Sequence, residues 1–180
     1  LKKLIEDLME ASKASTGNLA VNPERCELGV LLTQTAGEYE EKLKKAGLEL
    51  IIDKPDDPVV IMADRQHLWR IFDNLMNNIC KYSMPGTRVY LTLKRGAAID
   101  GDSVRARALV TFRNISKTRL NVSEEELMER FVRGDSSRNT EGSGLGLSIA
   151  SSLTKLQKGT MDLVVDGDLF KVSLCFDAVD

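Results

Sequence analysis

The sequence is poor in histidine and cysteine, and it has no strong excess of either charge. A single histidine among 180 residues excludes a metal centre built from several imidazoles. The three cysteines, Cys26, Cys80 and Cys175, form no CxxC pair and are odd in number, which is typical of a reducing compartment. A formal net charge of -2 gives no electrostatic case for binding nucleic acid.

Long apolar runs are also missing. No run approaches the roughly 20 residues that cross a bilayer, and we expect no signal peptide. The content of 42% hydrophobic and 29% charged residues is typical of one globular domain with a sizeable core. Because the chain begins inside an amphipathic helical pattern at Leu1, Leu4, Ile5 and Leu8, we expect it to be a fragment of a longer protein.

Hydrophobic periodicity predicts a helix, a second helix, two strands, a helix, two strands, a short helix, a loop, a helix and a closing hairpin. The predicted helices cover residues 1–16, 27–46, 64–82, 123–131 and 145–157. The predicted strands cover residues 48–52, 59–62, 89–93, 104–112, 160–165 and 169–176, with a short one at 19–21. Asp64 is the predicted cap of the long helix, and Gly47 and Gly159 are predicted to end two others. This order is typical of an α+β layering with helices on one face of a sheet.

The helix predicted at 64–82 carries three polar residues that could bind a nucleotide. Asn74, Asn78 and Lys81 follow at i, i+4 and i+7, so they share a face opposite the apolar stripe. Carboxamide oxygens can bind Mg²⁺, an ammonium group suits phosphate, and the ring of the following Tyr82 could lie against a nucleobase. The alternative is a solvated helix face, which such a triplet by itself favours.

A glycine-rich segment, residues 142–147, opens the last predicted helix directly. Its glycines would let the backbone and the helix N-terminus approach a polyphosphate. It is not a Rossmann motif, because a charged loop precedes it, and it lacks the Gly-Lys-Ser/Thr of a Walker P-loop. Arg130, Arg133 and Arg138 lie just before it and could reach a terminal phosphate. A hinge and a solvated loop are the alternatives.

Taken together, these motifs resemble the catalytic and ATP-binding domain of bacterial sensor histidine kinases, in the GHKL ATPase superfamily. The N box is similar to residues 74–83, the F box to 127–133 and the second glycine box to 142–147, within a match over roughly 60–176. The resemblance implies the Bergerat fold, an α+β two-layer sandwich with a mixed, mostly antiparallel sheet and an added N-terminal helix. It also implies that residues 1–16 end the second dimerisation and phosphotransfer helix, and that 17–180 form the catalytic domain with an ATP lid at about 133–146.

The resemblance implies roles for single residues as well. Asn74 and Asn78 would hold Mg²⁺ on the ATP phosphates, and Lys81 and Arg138 would serve phosphoryl transfer at the phosphates. The other expected ATP contacts are Tyr82 at the adenine, Arg133 at the γ-phosphate, and Gly142, Gly144, Leu145 and Gly146.

The family's first glycine box, usually Asp-x-Gly-x-Gly, is not recognisable here. Residues 113–118 read Arg-Asn-Ile-Ser-Lys-Thr, and strand alternation places Asn114 where the adenine-reading aspartate would stand. An asparagine oxygen can still accept a hydrogen bond from the adenine amino group, but it brings no charge.

The implied protein is an ATP-dependent protein-histidine kinase of a two-component system, homodimeric at full length, and acting on a response regulator. This part would be cytoplasmic, with no direct membrane or nucleic acid contact, in a membrane-anchored sensor. His67 lies in the wrong element to accept phosphate, so we expect no autophosphorylation of this chain alone. One alternative is a GHKL-type ATP hydrolase, although the position of its water-activating glutamate is Asn74 and Asp73 is rotated by about 100°. The other is a non-catalytic scaffold module with a degenerate adenine site.

Overall fold

The computed structural model describes residues 1–120 and 145–179. The helices are α1 (Lys2–Thr16), α2 (Leu28–Lys45), α3 (Arg65–Tyr82) and α4 (Gly146–Leu156). The strands are β1 (Glu24–Glu27), β2 (Glu49–Asp53), β3 (Val60–Ala63), β4 (Arg88–Asp100), β5 (Ser103–Ile115), β6 (Thr160–Asp166) and β7 (Leu169–Val179). The short helix predicted at 123–131 lies outside the described residues, as does the lid predicted at about 133–146 except for its last two residues.

The described strands form one mixed, mostly antiparallel sheet in the order β1-β3-β7-β5-β4-β2, and β6 also pairs with β7. Only the β2–β4 pair is parallel among them. The long strand β7 makes this arrangement possible, because it pairs with β5 along one side and with β6 and then β3 along the other.

The core lies between one face of the sheet and the helices, so the predicted two-layer sandwich is confirmed. The six residues of the predicted α3 stripe are all buried: Leu68, Ile71, Phe72, Leu75, Met76 and Ile79. Phe72 meets Phe112 of β5 with ring centroids 5.5 Å apart. Apolar side chains at helical spacing on α3 and at alternate positions on β4 and β5 therefore build the same core.

Three local predictions were wrong. Residues 19–21 form no strand; the carbonyl of Ala20 instead accepts a hydrogen bond from the His67 ring at 2.8 Å. Strands β4 and β5 are longer than predicted, because the turn at Gly101 (φ 60°) keeps them paired out to Asp100 and Ser103. The outer ends of these strands are not alternately buried, so the sequence pattern did not indicate them. The last helix ends at Leu156, and the residue with positive φ after it is Lys158 (63°), not Gly159.

The other predicted helix ends are confirmed. Gly17 ends α1 with φ 74°, and Gly47 follows α2 with φ 72°. The Asp64 carboxylate accepts hydrogen bonds from the backbone N–H groups of Gln66 and His67, so it caps α3 as expected. None of the described helices is long and apolar enough to cross a membrane.

Replacing Gly37 by alanine should stabilise the protein by up to about 1 kcal/mol, because glycine costs a helix interior that much relative to alanine. Gly37 lies within α2, and no heavy atom is within 4 Å of the position its Cβ would take. Urea denaturation at neutral pH measures the change. A loss of stability would mean that α2 is more crowded at this point than the structure indicates.

Candidate functional site

Two asparagines of α3 converge on the N-terminus of α4. A Cβ atom built on Gly146 would lie 3.6 Å from Asn74 Oδ1 and 3.8 Å from Asn78 Oδ1. The side-chain oxygens of two consecutive helical turns therefore face the first residue of another helix. Gly146 allows this approach, since any larger side chain would occupy the space in front of both carboxamides.

Asn74 is buried, and this rejects the alternative of a solvated helix face at that position. Only 6% of the residue is exposed, because α4 packs across α3 at this point. Its Nδ2 atom has no hydrogen-bond partner among the described residues. An unpaired buried amide costs about 1–3 kcal/mol, so a ligand that accepted a hydrogen bond from this group would offset that cost.

The N-terminus of α4 faces these asparagines and carries no side-chain cap. Leu145, at the N-cap position, makes no side-chain capping hydrogen bond, and it is 6% exposed. Burial of Leu147, Ile149 and Leu153 fixes the helix against the core. A fixed helix N-terminus of this kind attracts anions through its N–H groups and its dipole.

Lys81 and Tyr82 follow on the last turn of α3, and both are half-buried. Within residues 1–120 and 145–179, Lys81 takes part in no ion pair, which leaves its ammonium group able to bind a phosphate. The carbonyl of Tyr82 accepts a hydrogen bond from the backbone of Lys117 at 2.8 Å, which ties the end of α3 to the segment after β5.

Asn114 lies at the end of β5 and is 4% exposed. Its Nδ2 atom donates a hydrogen bond to the Oγ atom of Ser83, also 4% exposed, at 2.9 Å. Ser83 was not among the residues singled out from the sequence. The available signal was its position directly after Tyr82, but only the pairing across the fold reveals the contact.

Asp73 is engaged on the other side of α3. The Tyr39 hydroxyl donates a hydrogen bond to its carboxylate, and the Arg70 guanidinium lies 3.4 Å from its Oδ2 atom. Burial, and next the hydrogen bond to Asp73, raise the pKa of Tyr39 well above its ordinary range, so this phenol stays protonated. A carboxylate occupied by Tyr39 and Arg70 is poorly placed to activate water.

Arg70 also links α3 to the N-terminal helix. Its guanidinium lies 2.9 Å from the Asp7 carboxylate and 3.1 Å from that of Glu10, both on α1. Since Asp7 is buried, these ion pairs hold α1 in a defined position, and the same guanidinium reaches Asp73, the neighbour of Asn74. No sequence pattern indicates this network, since Arg70 lies 60 positions from Glu10 and 63 from Asp7.

The donor set suits a magnesium ion held jointly with phosphates. Among the described residues no cluster of three or more His, Cys, Asp or Glu could hold a metal ion. Magnesium commonly takes only one or two protein oxygens and completes its shell with water and substrate phosphates. The carboxamide oxygens of Asn74 and Asn78, converging beside Gly146, fit that pattern.

Four of the predicted site residues, Arg133, Arg138, Gly142 and Gly144, lie outside the described residues. The rest fall in two groups along α3. Asn74, Asn78, Leu145 and Gly146 meet where α3 crosses α4. Tyr82 and Asn114 lie at the C-terminal end of α3, with Lys81 between the two groups.

Asp64 should make stability depend on pH in the acid range. Its burial opposes ionisation, but hydrogen bonds from the backbone of Asn22 (2.9 Å) and of His67 outweigh it and hold the pKa of Asp64 below its ordinary 3.8. A lowered pKa gives stability that is present above pH 3.8 and is lost as pH falls through the folded-state pKa. Asp64→Ala should therefore cost about 0.5–2 kcal/mol at pH 7, and less below pH 3.8.

Urea denaturation of both proteins at pH 7 and at pH 3 checks this prediction. The exposed loop residue Asp56 provides the control, since Asp56→Ala should leave the pH dependence unchanged. A cost for Asp64→Ala that is the same at both pH values would contradict the assignment.

Comparison with known proteins places the fold in one family. Residues 63–177, more than half of the chain, match the family described as "Histidine kinase-, DNA gyrase B-, and HSP90-like ATPase". The chain belongs to this family. The match begins at the end of β3 and includes α3, α4 and β7, and all the site residues predicted from the sequence lie within its bounds.

Its curated relatives include sensor histidine kinases. The signal transduction histidine-protein kinase BaeS of Escherichia coli (strain K12) is 31% identical over 161 residues, which cover 88% of this chain and 32% of BaeS. The probable sensor protein PcoS of Escherichia coli is 30% identical, and the match covers 98% of this chain and 36% of PcoS. The chain thus spans about a third of the length of these relatives.

The fold also matches solved structures. One is the catalytic domain of histidine kinase ThkA, with a TM-score of 0.70 at 18% identity, covering 87% of this chain and 95% of that one. The structure of full-length ShkA in complex with AMPPNP superposes with a TM-score of 0.77 at 22% identity, covering 98% of this chain and 36% of ShkA. The predicted Bergerat-type ATP-binding fold is therefore confirmed.

Proposed function

We propose that this chain is the catalytic, Mg-ATP-binding part of a two-component sensor histidine kinase. It would donate the γ-phosphoryl group of ATP to a histidine on a helical hairpin, for relay to the receiver domain of a response regulator. The observation that carries the proposal is the convergence of Asn74 and Asn78 on the glycine that opens α4. The full-length protein would be a homodimer, with this part on the cytoplasmic side of a membrane-anchored sensor.

Each residue of the site has a distinct task in this proposal. Asn74 and Asn78 hold Mg²⁺, which neutralises charge on the β- and γ-phosphates when it is bound. Lys81 binds a phosphate as a point charge. Leu145 and Gly146 lie at the start of α4, where the helix N–H groups donate hydrogen bonds to phosphate oxygens. Arg138 and Arg133 would contact the γ-phosphate from the lid, at 133–146, together with Gly142 and Gly144. Catalysis is then positioning and charge neutralisation, with the acceptor histidine as nucleophile.

At the other end of α3, Tyr82 borders the adenine and the oxygen of Asn114 accepts a hydrogen bond from its amino group. Ser83 follows Asn78 by five residues, or about 7–8 Å along the helix axis. The phosphate end and the base end of the nucleotide would thus be arranged along one rigid helix.

The N-terminal helix supports the division of the chain at residue 16. On α1, a row of apolar residues that includes Leu4, Ile5, Leu8 and Met9 is 37–55% exposed. An apolar helix face of this kind is suited to packing against another helix, as in a dimerisation and phosphotransfer hairpin. In the proposal, residues 1–16 belong to that hairpin and 17–180 to the catalytic domain.

Titration with Mg-ATP and incubation with γ-labelled ATP test the proposal. We expect saturable Mg-ATP binding and no label on this chain alone, because Nε2 of its one histidine, His67, is hydrogen-bonded to the Ala20 carbonyl. Adding a separately produced hairpin that carries an acceptor histidine should then yield labelled hairpin. An arginine variant of the lid, Arg138→Ala, should slow that transfer more than it weakens ATP binding.

Other outcomes identify the alternatives. Absence of saturable binding up to millimolar nucleotide would favour a scaffold module. Steady ATP turnover abolished by Asp73→Ala would favour a hydrolase, although Asp73 is held by Tyr39 and Arg70. Label on His67 would contradict the proposed division between donor and acceptor.

A further inference from the structure

Strands β4 and β5 continue beyond their neighbours in the sheet as a two-stranded arm, residues 94–106. On one side of the arm, β2 pairs with β4 only as far as Thr92, and on the other, β7 pairs with β5 only as far as Arg107. Ile99 and Val104 face each other near the tip of the arm. Among the described residues after α1, they have the most exposed large apolar side chains, at 79% and 69%.

The outer edge of β4, which is the side of residues 94–100 turned away from β5, presents backbone groups to solvent. A two-residue turn closes the arm on Asp100 and Ser103, and from such a pair onwards every second residue exchanges hydrogen bonds with the opposite strand. The even-numbered residues of this part of β4 therefore bond to β5, and the odd-numbered ones direct their N–H and C=O groups outwards. Neither Ala97 nor Ile99 has a hydrogen bond on that side within the described residues.

This edge has little in its middle that would keep another strand away. Proteins usually protect an uncovered strand edge with a proline, a bulge or a charged residue. Residues 96–98 read Gly-Ala-Ala, and the β4–β5 register runs through them without a bulge. No heavy atom of the described residues lies within 4 Å of the Cβ that Gly96 would carry. The charged residues lie towards the ends of the edge, with Lys94 and Arg95 at one and Asp100 at the other.

We propose that the outer edge of β4 pairs with the same edge of a second copy of this chain, which joins two sheets in an antiparallel contact. Such a contact is self-complementary, because each copy supplies the same strand. The inference concerns a surface outside the nucleotide site, and it does not depend on the proposed function.

Two features of the fold define the register of this contact. Only odd-numbered residues direct backbone groups outwards, so odd-numbered residues must face odd-numbered residues across it. The second copy cannot extend along the edge as far as Thr92, because Asp53 of β2 pairs there. The longest pairing that meets both conditions sets Ala97 opposite Ala97, and Lys94 of each copy opposite Asp100 of the other.

The charges of the edge agree with that register. Residues directly opposite each other in a ladder have their side chains on the same face, where unlike charges stabilise the pairing and like charges destabilise it. Within the described residues neither Lys94 nor Asp100 takes part in an ion pair. The end of β2 and the charge pattern therefore lead independently to one register and to one occupant, a second copy.

Sedimentation equilibrium at protein concentrations up to about 1 mM tests the contact, because a pairing of two short edges is small and belongs to the weak class of interfaces. We expect a monomer–dimer equilibrium. Lys94→Glu and Asp100→Lys should each weaken it about tenfold or more, because each variant sets two like-charged pairs across the contact. An equimolar mixture of the two variants should regain the association, because both facing pairs of a mixed dimer again have opposite charges.

Two further variants are controls. Lys44→Glu makes the same change in net charge at an exposed position of α2 and should leave the dissociation constant unchanged. Leu8→Asp interrupts the exposed apolar row of α1, which is a second surface able to join two copies, and it should leave the association through β4 intact.

Every result bears on the inference. A natural chain that stays monomeric up to about 1 mM would overturn it, and this is the result expected if the edge serves an extended segment of another protein. A dimer lost in Leu8→Asp, weakened as much by Lys44→Glu as by Lys94→Glu, or not restored in the mixture would overturn it as well. Restored association in the mixture would establish both the occupant and the register, since the two changes compensate only where position 94 of one copy faces position 100 of the other.

Discussion

Asn78→Ala is expected to weaken the binding of Mg-ATP by about 10–100-fold, because hydrogen bonds and contacts to charged groups contribute about 1.5–3 kcal/mol. Asn78 Oδ1 lies with Asn74 Oδ1 beside Gly146, so the substitution removes one of the two protein oxygens that we propose as metal ligands. The difference in ATP affinity between Asn78→Ala and the natural protein should become smaller when magnesium is chelated. Without the metal, the natural protein no longer gains affinity from the Asn78 oxygen. Calorimetric titration with ATP, with and without magnesium, measures both affinities.

Asn77→Ala is the matched control for this experiment. Asn77 is the preceding residue on α3, it is half-buried as Asn78 is, and it points about 100° away around the helix. The Asn77→Ala variant should bind Mg-ATP with an affinity close to that of the natural protein. Equal losses in the two variants, or a loss in Asn78→Ala that does not depend on magnesium, would contradict the proposed metal site.

Gly159→Ala is expected to lower the free energy of unfolding by about 1–3 kcal/mol, the usual cost of forcing an extra methyl group into a packed core. A Cβ on Gly159 would lie 2.5 and 2.6 Å from two ring atoms of Phe176 and 2.9 Å from the carbonyl oxygen of Cys175. Phe176 is 2% exposed and Cys175 pairs within the sheet, so neither has room to withdraw. Urea denaturation at neutral pH measures the change.

The glycine at position 96 provides the comparison. Gly96 lies in β4, and no heavy atom comes within 4 Å of the Cβ it would carry. Gly96→Ala should change stability by less than about 0.5 kcal/mol. If both alanine variants lost the same stability, the close packing of Gly159 against Phe176 would not be the cause.

Lys158→Gly should in turn be stabilising, because Lys158 has a positive φ of 63°.

Much of the fold follows from local patterns. The apolar spacing on α3 and the capping carboxylate of Asp64 define that helix almost to the residue, from Arg65 to Tyr82. The alternation of buried residues on β5 likewise places Val110, Phe112 and Asn114 on the core side. These patterns can be read in advance, since each arises from the period of a single element and from one boundary between core and water.

Other features depend on which elements meet. The sequence indicated that Asn74 shares a face with Asn78 and Lys81, but its burial depends on α4, which lies more than 70 positions further along the chain. The prediction that Gly159 ends the last helix was wrong for a similar reason, because it considered only the local helix end. A glycine is required at position 159 by the close approach of Phe176, which lies on β7. A helical repeat carries no information about the partner that will cover a given face.

The sequence by itself therefore determined the elements of this protein, its family resemblance and the residues suited to phosphate and metal. Periodicity, capping and motif spacing are properties of short segments, so they can be recognised in the sequence without knowledge of the fold. Only the tertiary structure decided that Asn74 and Asn78 face the start of α4, that the Asn114 amide meets the Ser83 hydroxyl, and that Arg70 joins α1 to Asp73. Those relations are distances between segments remote in the chain, and they exist only after the sheet and helices have packed together.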